Sequence, residues 1–412
     1  METMTSPETP LPDNVPRERV VDIDMFNPPG IEDGYHEAWK RLQSPDTPEL
    51  VWTPRNGGHW IATTGALIGE IYRDPAHYSS EVIFLPKEAG EKYNMIPTRM
   101  DPPEHTPFRE VLNRGLGPRE IRAVRDSVRA AAIELIEPLV AKGGCEFSAE
   151  YAQIFPIKVF MTMADLPMSD VPLLKQFAVQ MTRPDGTTPT EMAESLDKAN
   201  KGFFAYLTPI LDARRGKDGS DLISLLINSQ VGERPMTQHE ALALISLLLL
   251  AGLDTVVNFL SFFMIFLSRN PDHVKELTDA PDRIVRGVEE LFRRFPVVAE
   301  ARMVAKDFER GGVQLKRGDM ILLPTALAGL DAALNADPMA VDFKRAHPVH
   351  STFGDGPHRC AGMHLARLEV TVTLEEWLKR IPRFRMKAGE KPVYHSGIVA
   401  AIDNVQLEWN PR

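Results

Sequence analysis

The chain has 412 residues, 43% of them hydrophobic and 25% charged, and a formal net charge of −10. That composition suits a soluble globular protein with a large core, and the acidic balance argues against a general nucleic-acid binder while leaving room for a local basic patch toward an acidic protein partner. Two cysteines, Cys145 and Cys360, are too few for a disulfide framework, and Met1 to Pro7 carry no apolar signal segment, so a reducing cytoplasm is expected.

The length allows one large domain or two. No repeat, low-complexity segment or long linker divides the chain, so a single domain over residues 1–412 is expected, opened by a proline- and acid-rich irregular stretch to about Pro29. Leu50-Val51-Trp52-Thr53 and His59-Trp60-Ile61-Ala62-Thr63 flank Asn56-Gly57-Gly58 and read as a β-hairpin. Helical patterns follow at Gly65 to Arg73, Pro107 to Leu116, Pro118 to Ala141 and Val171 to Met181.

The longest helix is expected to start at Thr237, where Thr237-Gln238-His239-Glu240 forms a capping-box pattern, and to run apolar to Leu267 before Asn270-Pro271 stops it. Gly252, Asp254 and Asn258 interrupt the apolar run, which favours a buried core helix over a membrane span. The break Ala251-Gly252-Leu253-Asp254-Thr255 has two readings. Small residues let a ligand approach the backbone while an acid and a hydroxyl supply a proton source and relay, or Thr255 bonds back to the Ala251 carbonyl and Asp254 caps a kink. Glu290 and Arg293 share a helix face three residues apart, a spacing common in solvated surface pairs. A second hairpin is expected from Val313-Gln314-Leu315 and Met320-Ile321-Leu322-Leu323, turned by Lys316-Arg317-Gly318-Asp319.

The stretch Phe353-Gly354-Asp355-Gly356-Pro357-His358-Arg359-Cys360-Ala361-Gly362 carries the chemistry. Gly354 and Gly356 permit turns that a Cβ would forbid, and Gly362 lets the helix beginning at Met363 pack close to a flat ring. A thiolate ligand needs burial and backbone N–H donors, and a helix N-terminus favours its charge. Phe353 can cover the sulfur, and His358 can reach an anionic group. The alternatives are a plain core cysteine or a zinc site built from His350, His358, Cys360 and His364, although no C-x-x-C pair completes the latter.

The spacing Phe353-x-x-Gly356-x-His358-x-Cys360-x-Gly362 resembles the haem-binding signature of the cytochrome P-450 superfamily. Further stretches resemble its bacterial camphor 5-monooxygenase type: Asn56 to Thr63, Met100-Asp101-Pro102-Pro103-Glu104, Met181 to Gly186, Gly252 to Leu260 and Ser396-Gly397-Ile398-Val399. The resemblance implies a mainly helical triangular prism with small β-sheets and a long central helix over haem b. Cys360 would bind the iron, with Arg109, Arg302 and His358 on the haem propionates and Phe353 over the sulfur. Asp254 would exchange partners with Lys175 and Arg183 to admit protons, and Thr255 would pass them on. Glu290, Arg293 and Arg345 would brace the cysteine loop from within.

The same resemblance implies an apolar substrate cage of Phe84, Met95, Thr98, Thr182, Leu247, Leu250, Val298, Ile398 and Val399, with Tyr93 donating one hydrogen bond. Glu81, Gly90, Glu91 and Tyr93 resemble a loop that holds a potassium ion. The implied reaction is O2-dependent hydroxylation of a bicyclic monoterpenoid, camphor first, with electrons from a two-iron, two-sulfur ferredoxin and its NADH-dependent reductase. No nucleic acid or membrane takes part. This chain departs from the type at Met95, where an aromatic ring is usual, at the bulkier Leu250 and Ala251, at Glu300, in a longer Thr187 to Phe204, and at Gly69 and Thr106, where basic residues are usual. These departures leave room for another terpenoid such as 1,8-cineole or an ionone. A haem-thiolate sensor without turnover is the rival of a different class, and the Asp254-Thr255 pair argues against it.

Overall fold

The computed structural model describes residues 8–91, 95–182, 185–186 and 189–411. Helices dominate, and they surround one long helix, Gln238–Arg269. Thr237 caps that helix by accepting from the Glu240 N–H while the Glu240 carboxylate accepts from the Thr237 N–H, the reciprocal pattern expected from the sequence. By length and composition this helix could cross a membrane. Leu244, Leu260, Phe263, Met264 and Leu267 are instead fully buried. The helices Phe155–Met163, Val171–Thr182, Leu222–Ile227, Pro271–Asp279 and Met363–Arg380 all pack against it.

Several sequence expectations hold closely. Gly65–Arg73 and Val171–Thr182 are helices, and Leu50–Thr53 pairs with His59–Ala62 as an antiparallel hairpin. The expected helix from Pro118 to Ala141 is split at Val124, whose φ −92° and ψ 0° lie outside the helical region, into Pro118–Ala123 and Arg125–Val140. The helix expected from Pro107 starts two residues earlier, as His105–Gly115. This shift matters because it puts His105 in the first turn.

The second hairpin is corrected. Val313–Leu315 pairs back with Phe308–Arg310, whereas Met320–Pro324 lies antiparallel to Ala299–Val304 and parallel to His59–Ala62. Every residue of Met320–Pro324 is buried, so the strand needs a partner on each side and takes the middle of a five-stranded sheet. The turn residues already belong to that sheet, since Gly318 N–H donates to the Val304 carbonyl at 2.9 Å and Val304 N–H to the Asp319 carbonyl at 2.8 Å.

Candidate active site

The cysteine loop is built on close backbone approach. Gly354 and Gly356 both have φ 63°, and a Cβ on Gly356 would lie 2.4 Å from the Tyr72 carbonyl oxygen. Cys360 N–H donates to the Phe353 carbonyl at 2.8 Å, which folds the loop back on itself. Phe353 is buried between the Phe292 ring, 4.9 Å away at 61°, and the Arg367 guanidinium, 4.5 Å above its face. Glu289 holds that guanidinium at 2.5 and 3.0 Å. The sulfur is open to an internal cavity yet enclosed by the molecule. Burial pushes the thiol above its ordinary value, opposed by the Gly362 N–H and by the charges of Arg109 and Arg367.

That cavity is a slot of about 310 Å³ between the central helix and the cysteine helix. Leu248, Gly252, Val256 and Phe259 line one face, and Cys360, Leu365 and Ala366 the other. Its rim is cationic. The His105 and His358 rings lie tilted at 42° with centroids 4.2 Å apart, Arg109 lines the slot beside them, and Arg302 is buried over the Tyr72 ring, 5.1 Å from its centroid, with the Ala301 carbonyl at 2.8 Å and Glu300 at 3.4 Å as its hydrogen-bond partners among the described residues. Burial, with Arg302 and His105 next in effect, pushes the His358 imidazole down to about 3, and its buried Nε2 has no hydrogen-bond partner among the described residues. The slot therefore fits a flat apolar group carrying anionic substituents at one edge, as haem b does. The zinc alternative finds no support: His350 turns toward Glu289 at 3.8 Å, His358 packs against the His105 ring, and among the described residues no histidine, cysteine and carboxylate cluster could hold a metal ion.

On the opposite face of the slot, Thr255 Oγ1 donates to the Ala251 carbonyl at 2.7 Å, and Asn258 Nδ2 donates to the Asp254 carbonyl at 2.8 Å and to its Oδ1 at 3.2 Å. The bond back to Ala251 anticipated in the simpler reading is present, but the helix runs unbroken through it. Donating its proton backward leaves the hydroxyl's lone pairs free to accept from the cavity. No atom lies within 4 Å of a Cβ built on Gly252, so the slot reaches the helix backbone there. Among the described residues no ion pair joins Lys175 to Asp254; Arg183 lies outside them.

A second cavity of about 660 Å³ adjoins the first across Thr98, Leu247, Ala251, Thr255 and Val298. It brings together Phe84, Met95, Thr98, Leu247, Leu250, Val298, Ile398 and Val399, eight of the ten expected cage residues. Thr182 ends the helix Val171–Thr182, and Tyr93 lies outside the described residues. Backbone bonds join the wall: Val298 bridges to Val399, and Ala299 N–H donates to the Ile398 carbonyl at 2.9 Å.

The family profile described as Cytochrome P450 matches residues 173–409. The chain is 31% identical to "Probable cytochrome P450 127A1" of Sinorhizobium fredii over 97% of each chain. Among solved structures, CYP101J2 superposes with a TM-score of 0.90 at 42% identity, covering 98% of this chain and 100% of that one, and CYP101C1 with 0.89 at 38%, covering 97% and 100%. The chain belongs to the cytochrome P450 family. It is a P450 monooxygenase whose cofactor is haem b, and its fold is the helix-rich P450 prism with small sheets.

Glu290 and Arg293, the centre of this P450's brace, are fully buried. Arg293 makes five hydrogen bonds, to both Glu290 carboxylate oxygens at 2.8 Å and to the carbonyls of Gly329 at 2.8 Å, Pro338 at 2.7 Å and Ala340 at 2.7 Å. Arg345 Nε reaches the same carboxylate at 3.0 and 3.1 Å, and Thr352 Oγ1 ties the cysteine loop to the Phe292 carbonyl at 2.8 Å. Sequence reasoning missed four features of the P450 site. His105 falls one turn before Arg109 on a shared face, a spacing that could have revealed it. Glu369 lines the slot with its carboxyl pushed up to about 8 by burial, and Glu289 with Arg367 clamps Phe353. His395 and Asp403, bonded at 2.8 Å, give the larger cavity a polar corner.

Proposed function

We propose that this P450 hydroxylates an unactivated C–H bond of a compact bicyclic monoterpenoid, camphor first, working as a single domain in the bacterial cytoplasm. The observation that carries the reading is the facing of Cys360 and Thr255 across one slot that opens into an apolar cavity of about 660 Å³. Cys360 would hold haem b, which would supply the O2 chemistry: two electrons and two protons would take one oxygen atom to water while the other enters the C–H bond. The Gly362 N–H and Phe353 shield the sulfur and set its electron donation. Arg109 and Arg302 would neutralise the two carboxylates at the slot's edge, and His358, held neutral by burial, would donate a hydrogen bond to one of them, with His105 packed beside it.

Asp254 takes protons from solvent, with Lys175 and Arg183 as exchange partners, and the Thr255 hydroxyl delivers them into the slot. Phe84, Met95, Thr98, Thr182, Leu247, Leu250, Val298, Ile398 and Val399 orient the substrate by shape, and Tyr93 aims it through one hydrogen bond. Electrons come singly from a two-iron, two-sulfur ferredoxin recharged by an NADH-dependent reductase. The test is optical. Reduced protein under carbon monoxide should give the red-shifted Soret band of a thiolate-ligated haem, and camphor should drive the ferric iron high-spin. Absence of the thiolate band overturns the Cys360 assignment. The thiolate band without a camphor shift moves the substrate to 1,8-cineole or an ionone, which Met95 in the wall favours as the second reading.

A further inference from the structure

The loop from Glu81 to Glu91 forms one wall of the larger cavity through Ile83 and Phe84. One side of it is anchored to the sheet, because Ala301 N–H donates to the Ile83 carbonyl at 2.8 Å. Inside the loop, Gly90 packs so tightly that a Cβ would lie 2.5 Å from the Phe84 carbonyl oxygen. The loop's two ends turn their carbonyls toward one point, and a side chain from the following segment fills it. Arg99 Nε donates to the Glu81 carbonyl at 2.6 Å, and Arg99 Nη1 donates to the Glu91 carbonyl at 3.0 Å.

An alkali ion is held by several carbonyl or carboxylate oxygens with no cation among them. Here two carbonyls of the loop expected to hold potassium already accept from a guanidinium, whose charge would repel an ion placed beside it. The described residues of that loop therefore do not fit a potassium site. We propose that Arg99 is a fixed side-chain cation that clamps Glu81 to Glu91 at the surface end of the loop and so positions the Phe84 wall of the substrate cavity without any metal ion. The planar fork suits the task, since it reaches two carbonyls at once where an ammonium would offer a single point. Thr98 lines the cavity one residue before Arg99, and its hydroxyl donates to the Met95 carbonyl at 2.8 Å. The clamp therefore joins the loop directly to the next piece of the wall.

The proposal does not depend on the substrate, and its test reads the loop itself. Amide hydrogen exchange of residues 81–91 is followed in the haem-loaded protein, in potassium chloride and in choline chloride of equal ionic strength. The wild type is expected to exchange identically in the two salts. In choline chloride Arg99→Ser should exchange about tenfold faster in the loop while the central helix keeps its protection, and Arg99→Lys should fall between. Greater loop protection of the wild type in potassium overturns the proposal, as does an Arg99→Ser loop as protected as the wild type in choline chloride. The wild-type comparison needs no variant to fold.

Discussion

Replacing Arg293 by lysine keeps the charge of the buried brace and removes its geometry. All five guanidinium N–H groups are used, on two carboxylate oxygens and three carbonyls, and an ammonium offers three. At least two buried acceptors then lose their donor, at about 1–3 kcal/mol each, for a total of about 2–6 kcal/mol. Glu290 is not abandoned, since Arg345 and the Asp342 N–H, at 2.9 Å, still reach it. Against a domain stability of about 5–15 kcal/mol the Arg293→Lys variant should fold but be fragile. The Arg293→Ala variant loses all five bonds and leaves Glu290 with Arg345 and the Asp342 N–H alone, a loss of about 3–5 kcal/mol from breaking the buried pair, and should yield no holoprotein. The assay is denaturant unfolding at matched haem content, followed by far-ultraviolet circular dichroism and by the Soret band. Because Thr352 ties the cysteine loop to the same helix, the Soret signal should be lost at lower denaturant than the helical signal. An Arg293→Lys midpoint within about 1 kcal/mol of the wild type would refute the idea that fork geometry holds the brace.

Thr255→Ala should cut product formed per electron consumed by about tenfold or more while leaving haem content intact, measured as NADH oxidised against product; undiminished coupling removes the hydroxyl from proton delivery. His358→Leu leaves an anionic edge without its donor and should speed haem loss to a scavenging apoprotein by about tenfold; an unchanged rate means Arg109 and Arg302 suffice. Glu369 keeps its proton when folded until about pH 8, whereas the ordinary value is 4.5. Between those values the unfolded chain releases a proton that the folded chain retains, so stability falls as pH rises, by at most about 1.4 kcal/mol per unit. Glu369→Gln should flatten the pH dependence of the unfolding midpoint between pH 5 and 8, and an unaltered slope would show that the carboxyl is solvated.

The capped central helix, the first hairpin and the cysteine loop were legible because each rests on local rules: a capping box, a turn of small residues, a spacing of glycines around one thiol. The brace was legible only through resemblance, since Glu290 and Arg293 three residues apart look the same on a surface helix as in a core. The second hairpin was misread because Met320–Pro324 alternates no more than a fully buried strand does, and its partners are Ala299–Val304, beyond the intervening Val313–Leu315, and His59–Ala62, far away in sequence. His395 and Asp403 escaped notice for a related reason: they meet across a short hairpin whose strands, Val393–His395 and Ala401–Asp403, are three residues each. Arg99 gave no sign at all, because nothing in a sequence says which carbonyls a long side chain will reach.

The central sheet has a consequence for how the molecule is made. The two strands on one side, Leu50–Thr53 and His59–Ala62, and the single edge strand on the other, Tyr78–Ser79, come from the first fifth of the chain, and the two strands that join them, Ala299–Val304 and Met320–Pro324, emerge from the ribosome more than two hundred residues later. Contacts of such long sequence separation form late and slowly. The early strands therefore wait with open edges, and a nascent chain has no completed haem rim until Arg302 and His358 arrive to join Arg109. Cofactor capture must therefore wait until Cys360 and His358 have emerged, and the yield of holoprotein should depend on how well the waiting edges are kept from pairing with one another.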